Sequence, residues 1–156
     1  MERPFEPSKL VTIVTLPRKS ISFSLLVVHK LLDDYWVFRE KNYGTLLFIT
    51  SDIEKTYDTL HKTIVTYMEY MDIIDIRKPP NEIVIDCSLG NNEKILLMIK
   101  NDHNIESSVR GMRVDQVFID CVDDDIKVDG DIIVNHLLPL TIHNDDKYLD
   151  KIILIY

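Results

Sequence analysis

A chain of 156 residues has the length of one ordinary domain, and its high content of Ile, Leu and Val with only four glycines excludes a disordered segment. The formal net charge of -8 argues against general binding to a phosphate backbone, because no broad basic surface can displace counterions. The two cysteines, Cys87 and Cys121, lack metal-ligand spacing. We therefore expect a soluble intracellular protein with one domain over residues 1–156.

The first half of the chain predicts two strands and two helices. The run LVTIVTL (residues 10–16) is typical of a strand buried on both faces, and Pro17 ends it. A largely buried helix is expected to begin between Ser20 and Ser24. The run TLLFITS (residues 45–51) predicts a second strand. Ser51 and Glu54 have capping-box spacing, so an amphipathic helix should follow, with its apolar positions running through to Met71.

The second half predicts a hairpin and a further strand–helix–strand unit. The segments IVIDCS and KILLMIK flank the turn sequence LGNNE, a pattern that favours two antiparallel strands. DQVFID predicts a buried strand, DIIVNHLLPLTIHN predicts a helix up to Pro139, and KIILIY predicts a last strand. Apolar strands that alternate with helices indicate an α/β protein with a parallel, helix-covered sheet. Ligands of such sheets bind at the carboxyl ends of the strands, here near residues 17–24, Ser51 and residues 120–125.

Three segments resemble one protein family. SSVRGMRVDQVFID contains Ser107, Arg110 and Gly111 before a strand that ends in Asp120, as in the segment around the Walker B strand of the large terminase subunit. TIVTLPRKS resembles the strand and basic turn that open the Walker A motif, and VNHLLPLTIHNDDKYLDKIILIY resembles the following helix and strand. The chain thus resembles, over residues 11–156, the ATPase domain of the DNA-packaging motors of tailed phages and herpesviruses.

The resemblance implies a fold, a site and an origin. The fold would be P-loop ATPase-like, of the additional-strand type, with a mostly parallel sheet, helices on both faces and an antiparallel hairpin. The protein would be viral, located in the host cytoplasm or nucleus, and it would lack the nuclease domain of the family. Asp120 would hold Mg²⁺ through water, with Asp123 as a nearby carboxylate. The positions that correspond to nucleotide-binding residues are Pro17, Arg18, Lys19, Ser22, Ser24, Arg110 and Gly111.

Two departures from the family pattern favour a loss of catalysis. LPRKSISFSLL contains no glycine that would let backbone N–H groups approach phosphate, and the family's Gly-Lys-Ser/Thr aligns with ISF or SFS, which contain no lysine. Cys121 occupies the position of the glutamate that polarises the attacking water, and a thiol is a poor base for this task. The prediction is a pseudo-ATPase without a cofactor.

Three functions follow as alternatives. The first is a non-catalytic protein that binds a protein partner in packaging or assembly, with DNA binding left open and no membrane association. The second is an active NTPase that uses Mg-ATP, in which Arg18 or Lys19 supplies the phosphate charge and Asp123 replaces the missing glutamate. The third is an acidic interaction protein or DNA mimic. The acidic run after Asp120 does not fit a calcium loop, because Lys127 and His136 would fall at ligand positions.

Overall fold

The computed structural model describes residues 11–14, 43–69, 71–90, 92–121, 129–141 and 151–156. In these segments seven strands form one mixed sheet. They are Val11–Val14 (β1), Tyr43–Thr50 (β2), Asp72–Arg77 (β3), Glu82–Gly90 (β4), Glu93–Asn101 (β5), Gln116–Asp120 (β6) and Ile152–Ile155 (β7). The predicted helix that begins near Ser20 lies outside the described residues.

The strand order is β1-β7-β6-β2-β5-β4-β3. The first five strands in this order are mutually parallel, while β4 runs antiparallel to β5 and β3 antiparallel to β4. The predicted mostly parallel sheet and the hairpin are therefore confirmed. The last strand in sequence, β7, is inserted between β1 and β6.

The edge strand β3 was not predicted from the sequence. Its six residues, DIIDIR, mix apolar and charged types without strict alternation, and its register with β4 shifts between Ile73 and Asp75. This bulge leaves Ile74 57% exposed. A bulge and charged side chains are usual features of a sheet edge, because they discourage pairing with another chain.

Helix α1 comprises Ile53–Tyr67, and the capping residue is Asp52 rather than the predicted Ser51. The Asp52 carboxylate accepts a hydrogen bond of 3.1 Å from the backbone N–H of Lys55. Such a bond satisfies one of the free N–H groups of the first helical turn. The predicted extension to Met71 is also wrong, because the helix ends at Tyr67 and the chain then turns back into β3.

Two shorter helical segments lie in the second half of the chain. Helix α2 comprises Ile105–Ser108. Segment α3 begins with a turn at Gly130–Ile132, widens into a π-helical turn at Ile133–Leu137 and ends with a turn at Leu138–Thr141. The described helices are all too short to cross a lipid bilayer.

The helix that was predicted to end at Pro139 continues past it. The N–H of Leu138 bonds to the carbonyl of Ile133, five residues earlier. A proline has no amide hydrogen and clashes with the carbonyl four residues before it in a regular helix. The wide turn accommodates Pro139 without ending the helical segment.

Buried side chains form one cluster on each face of the sheet. On one face, Leu60 and Ile64 of α1 pack with Phe48 and Phe118, whose rings stack with centroids 4.9 Å apart. On the other face, residues of α2 and α3 pack with alternate residues of the same strands; these are Ile105, Leu137 and Leu140 with Leu47, Ile49, Val117 and Ile119. Helices therefore cover both faces, as predicted.

Candidate functional site

Asp120 is the last residue of β6 and lies at the carboxyl edge of the parallel strands. It pairs with Ile155 of β7, and the residue before it, Ile119, pairs with Ile49 of β2. Asp120 and Thr50 therefore end neighbouring strands at the same level. Because strand residues alternate between faces, both lie on the same face of the sheet as the stacked rings of Phe48 and Phe118.

Thr50 is a residue of this edge that the sequence did not single out. It is 2% exposed, and its hydroxyl oxygen accepts hydrogen bonds from the Asp52 N–H at 3.2 Å and the Thr56 hydroxyl at 3.0 Å. These bonds connect the end of β2 to the first turn of α1. The only signal in the sequence was a hydroxyl residue at the end of an apolar run, which is too common to identify a site.

Cys121 directly follows Asp120, and the main chain fixes its position. Its N–H donates a hydrogen bond of 2.7 Å to the carbonyl of Ile155, and its Sγ lies 3.7 Å from the carbonyl oxygen of Ile119. The side chain is half-buried. Cys121 is thus held at the carboxyl edge of the sheet, beside Asp120.

The surroundings of Cys121 keep its thiol protonated. Burial raises the pKa of the thiol, and the negative charge of Asp120 raises it further. Hydrogen bonds from the Ile155 backbone and the Tyr156 side chain offset only part of this effect. A neutral thiol cannot remove a proton from water, so Cys121 does not supply the chemistry of a carboxylate.

The turn at Arg110 and Gly111 leads into the amino end of β6. Gly111 has φ of +79°, a left-handed conformation that favours glycine, and Arg110 is exposed.

Asp115, which precedes β6, is bound to Thr45 of β2. The N–H of Asp115 donates to the carbonyl of Thr45, and the Asp115 carboxylate accepts from the Thr45 N–H, both at 2.8 Å. Since β6 rises by about 3.3 Å per residue, roughly 16 Å separates Asp115 from Asp120. The turn and Asp120 are therefore joined to opposite ends of one strand.

The remaining predicted site residues lie outside the described residues. They are Pro17, Arg18, Lys19, Ser22, Ser24 and Asp123. A cluster of three or more metal-ligating side chains is absent from the described part of the chain. At the carboxyl edge of β6 the described residues thus place one carboxylate, that of Asp120, beside the thiol of Cys121, which does not fit the task of activating water.

No protein-family model matches the sequence, and no curated protein matches it. The structure is similar to the large terminase of a thermophilic bacteriophage, with a TM-score of 0.59 and 12% sequence identity. The fold is terminase-like. The superposition covers 96% of this chain and 34% of the terminase, so the chain spans about a third of the length of that protein. At this identity the similarity concerns the fold alone.

Proposed function

We propose that this protein is a catalytically degenerate, terminase-like protein that acts by binding a protein partner in viral DNA packaging or assembly. The terminase-like fold supports the proposed ancestry. The order of elements along the chain also supports it, because strands and helices follow one another as in the ATPases that the sequence resembles, with a hairpin before the strand that ends in Asp120. The P-loop assignment itself is part of the proposal.

The observation that carries the proposal is the thiol of Cys121 beside Asp120. Hydrolysis of a nucleoside triphosphate requires a group that orients and polarises the attacking water, and a misplaced or absent group typically costs several orders of magnitude in rate. The ordinary pKa of a cysteine thiol, 9.0, already lies above physiological pH, and burial raises the pKa of Cys121 further, so the thiol is neutral. Asp120 retains its place at the strand end, which would suit a metal ligand, but it does not replace the missing base.

The test is a phosphate-release assay with ATP and Mg²⁺, combined with thermal unfolding of the same samples. Four proteins are compared: wild type, Asp120→Asn, Cys121→Glu, and Asp58→Asn as a control that changes an exposed carboxylate on α1. We expect no turnover in the wild type. A ligand that binds only the folded state raises the midpoint of unfolding, so a shift that Asp120→Asn removes and Asp58→Asn retains would identify a residual nucleotide site.

Two outcomes would separate the alternatives. Mg²⁺-dependent turnover in the wild type that Asp120→Asn abolishes would refute the degenerate function and favour an active NTPase. Turnover that appears only in Cys121→Glu would show that the thiol is the missing catalytic element, which would strengthen the proposal.

A further inference from the structure

A cavity of about 310 Å³ lies at the carboxyl edge of the sheet, beside β5. Its walls come from the turn between β3 and β4 and from the segment between the end of β5 and α2. Strand β2 separates β5 from β6, so the cavity is distinct from the edge at Asp120. Ligand sites of open α/β sheets lie at this edge, and the volume is within the range of small-molecule sites.

A fixed pair of opposite charges forms part of the wall. Lys100 and Glu82 are directly paired residues of β5 and β4, and Lys100 Nζ lies 3.2 Å from Glu82 Oε1. Their side chains are only 10% and 21% exposed. A buried ammonium group is costly unless a carboxylate compensates it, so the pair is held together inside the wall. The wall thus presents one positive and one negative group at a short, defined distance.

The rest of the lining is mostly polar, with Pro80 as its apolar residue and the imidazole of His103 among its polar groups. It includes the side chains of Asn81 and Asn104, whose backbones have φ of 60° and 53°. The hydroxyls of Ser107 and Ser108 donate to the carbonyls of Asn104 and Ile105, which leaves their oxygen lone pairs able to accept. Among the described residues that line the cavity there is no Phe, Tyr or Trp, and the imidazole of His103 is the aromatic ring of the lining.

We propose that this cavity binds a small zwitterion of the α-amino-acid type. The ligand's carboxylate would contact the ammonium group of Lys100, and its own ammonium group would contact the carboxylate of Glu82. A simple anion or cation beside this pair meets one like charge as well as one opposite charge, so the pair gives it little net attraction. A zwitterion instead places each of its charges beside the opposite charge of the wall, while the amides and hydroxyls bond to its remaining polar groups.

The first experiment is an NMR titration of the full chain with glycine, following backbone amide resonances. Glycinamide, which lacks the carboxylate, and N-acetylglycine, which lacks the ammonium group, are titrated in parallel. We expect saturable shifts at residues 81–82 and 100–108 with millimolar glycine, and binding at least about tenfold weaker for both analogues, a difference of about 1.4 kcal/mol. Equal binding of the three compounds, or no saturable shift with glycine, would overturn the proposal.

Variants of the asparagines link binding to this cavity. Asn81→Gly and Asn104→Gly remove a lining side chain while glycine tolerates the left-handed backbone, so the fold is retained. Asn92→Gly is the matched control, because Asn92 has φ of 68° but lies in the turn before β5, at the opposite edge of the sheet. We expect about tenfold weaker glycine binding in the first two variants and no change in the control. Wild-type binding in both lining variants would show that glycine binds elsewhere.

A charge-free wall provides an independent test. The double substitution Lys100→Met and Glu82→Gln removes both charges and leaves neither partner buried alone. In this variant, added glycine should no longer cause saturable changes in the amide chemical shifts, while the amide spectrum retains the dispersion of the folded protein. If glycine still binds to the folded double variant, the charge pair is not the recognition element.

Discussion

The backbone N–H of Cys121 donates a hydrogen bond of 2.7 Å to the carbonyl of Ile155, and this bond fixes the residue after β6 to the end of β7. The bond involves main-chain atoms, so every residue except proline can form it at position 121 and hold its side chain beside Asp120. This is why a substitution there can test chemistry without moving the backbone. It also places the thiol between the charge of Asp120 and the side chain of Tyr156.

The two thiols should differ from a free cysteine in their reaction with iodoacetamide. The thiolate is the reactive form, and burial raises the pKa of both Cys121 and Cys87. At pH 8 we expect Cys121 to be alkylated several-fold more slowly than a model thiol, and Cys87 to be protected in the native state. Peptide mass spectrometry over time measures both rates. Asp120→Asn should accelerate the alkylation of Cys121, and denaturant should abolish the protection of Cys87.

Cys87 should make the protein less stable at high pH. Burial, with a smaller contribution from Asp86, raises the pKa of Cys87 from 9.0 to about 12. The unfolded chain therefore loses this proton first, so stability is fully present below pH 9 and falls as pH rises from 9 towards 12. The full difference corresponds to at most about 4 kcal/mol. Urea unfolding at several pH values should show a shallower decline in Cys87→Ala than in the wild type; equal slopes would contradict the assignment.

Removal of the cap of α1 should destabilise the protein by about 1 kcal/mol. Asp52→Ala removes the acceptor of the Lys55 N–H, which lies 3.1 Å from the carboxylate. Asp52→Asn is the control, because its side-chain oxygen can accept the same bond. Urea unfolding followed by circular dichroism measures both. A loss of equal size in the two variants would show that charge, and not the hydrogen bond, is responsible.

Asp115→Ala should cost about 1–3 kcal/mol, because it leaves the buried N–H of Thr45 without its acceptor. The two residues exchange hydrogen bonds of 2.8 Å, and only one of these uses the Asp115 side chain. Asp115→Asn retains an acceptor and should cost less. Hydrogen exchange of the Thr45 amide provides a local measurement, and we expect faster exchange in Asp115→Ala. Unchanged exchange would contradict the role of the carboxylate.

The parts of the fold that depend on hydrophobic pattern could be predicted from the sequence. The apolar runs that form β2 and β6 indicated buried strands, and the turn between β4 and β5 has typical hairpin residues. The run over residues 10–16 predicted a strand buried on both faces, whereas β1 lies at the edge of the sheet and leaves Ile13 65% exposed. Strand β3 could not be found in this way, because a bulged, half-exposed edge strand lacks a regular period. The hydrophobic pattern could not locate the N-cap of α1 either, since Ser51 and Asp52 are both good capping residues.

The candidate site was predictable where neighbouring residues in sequence are neighbours in space. Asp120 and Cys121 meet this condition, so the altered strand end was visible in the sequence. Lys100 and Glu82 do not meet it, because they are 18 positions apart in the sequence and only the register of β4 with β5 places them side by side. The hydrogen bond between the hydroxyls of Thr50 and Thr56 could likewise be predicted only if the start of α1 were known.

The insertion of β7 between β1 and β6 has a consequence for synthesis on the ribosome. Among the described strands, β1 pairs only with β7, whose residues are made about 140 positions later in the chain. The nascent chain can assemble β2 to β6 earlier. Until residues 152–155 have emerged from the ribosome, β1 and the outer edge of β6 lack the hydrogen bonds that β7 provides. Such late, non-local pairing slows folding and prolongs the exposure of apolar strand edges. A chaperone that shields nascent strands would therefore act on this protein mainly before β7 is released.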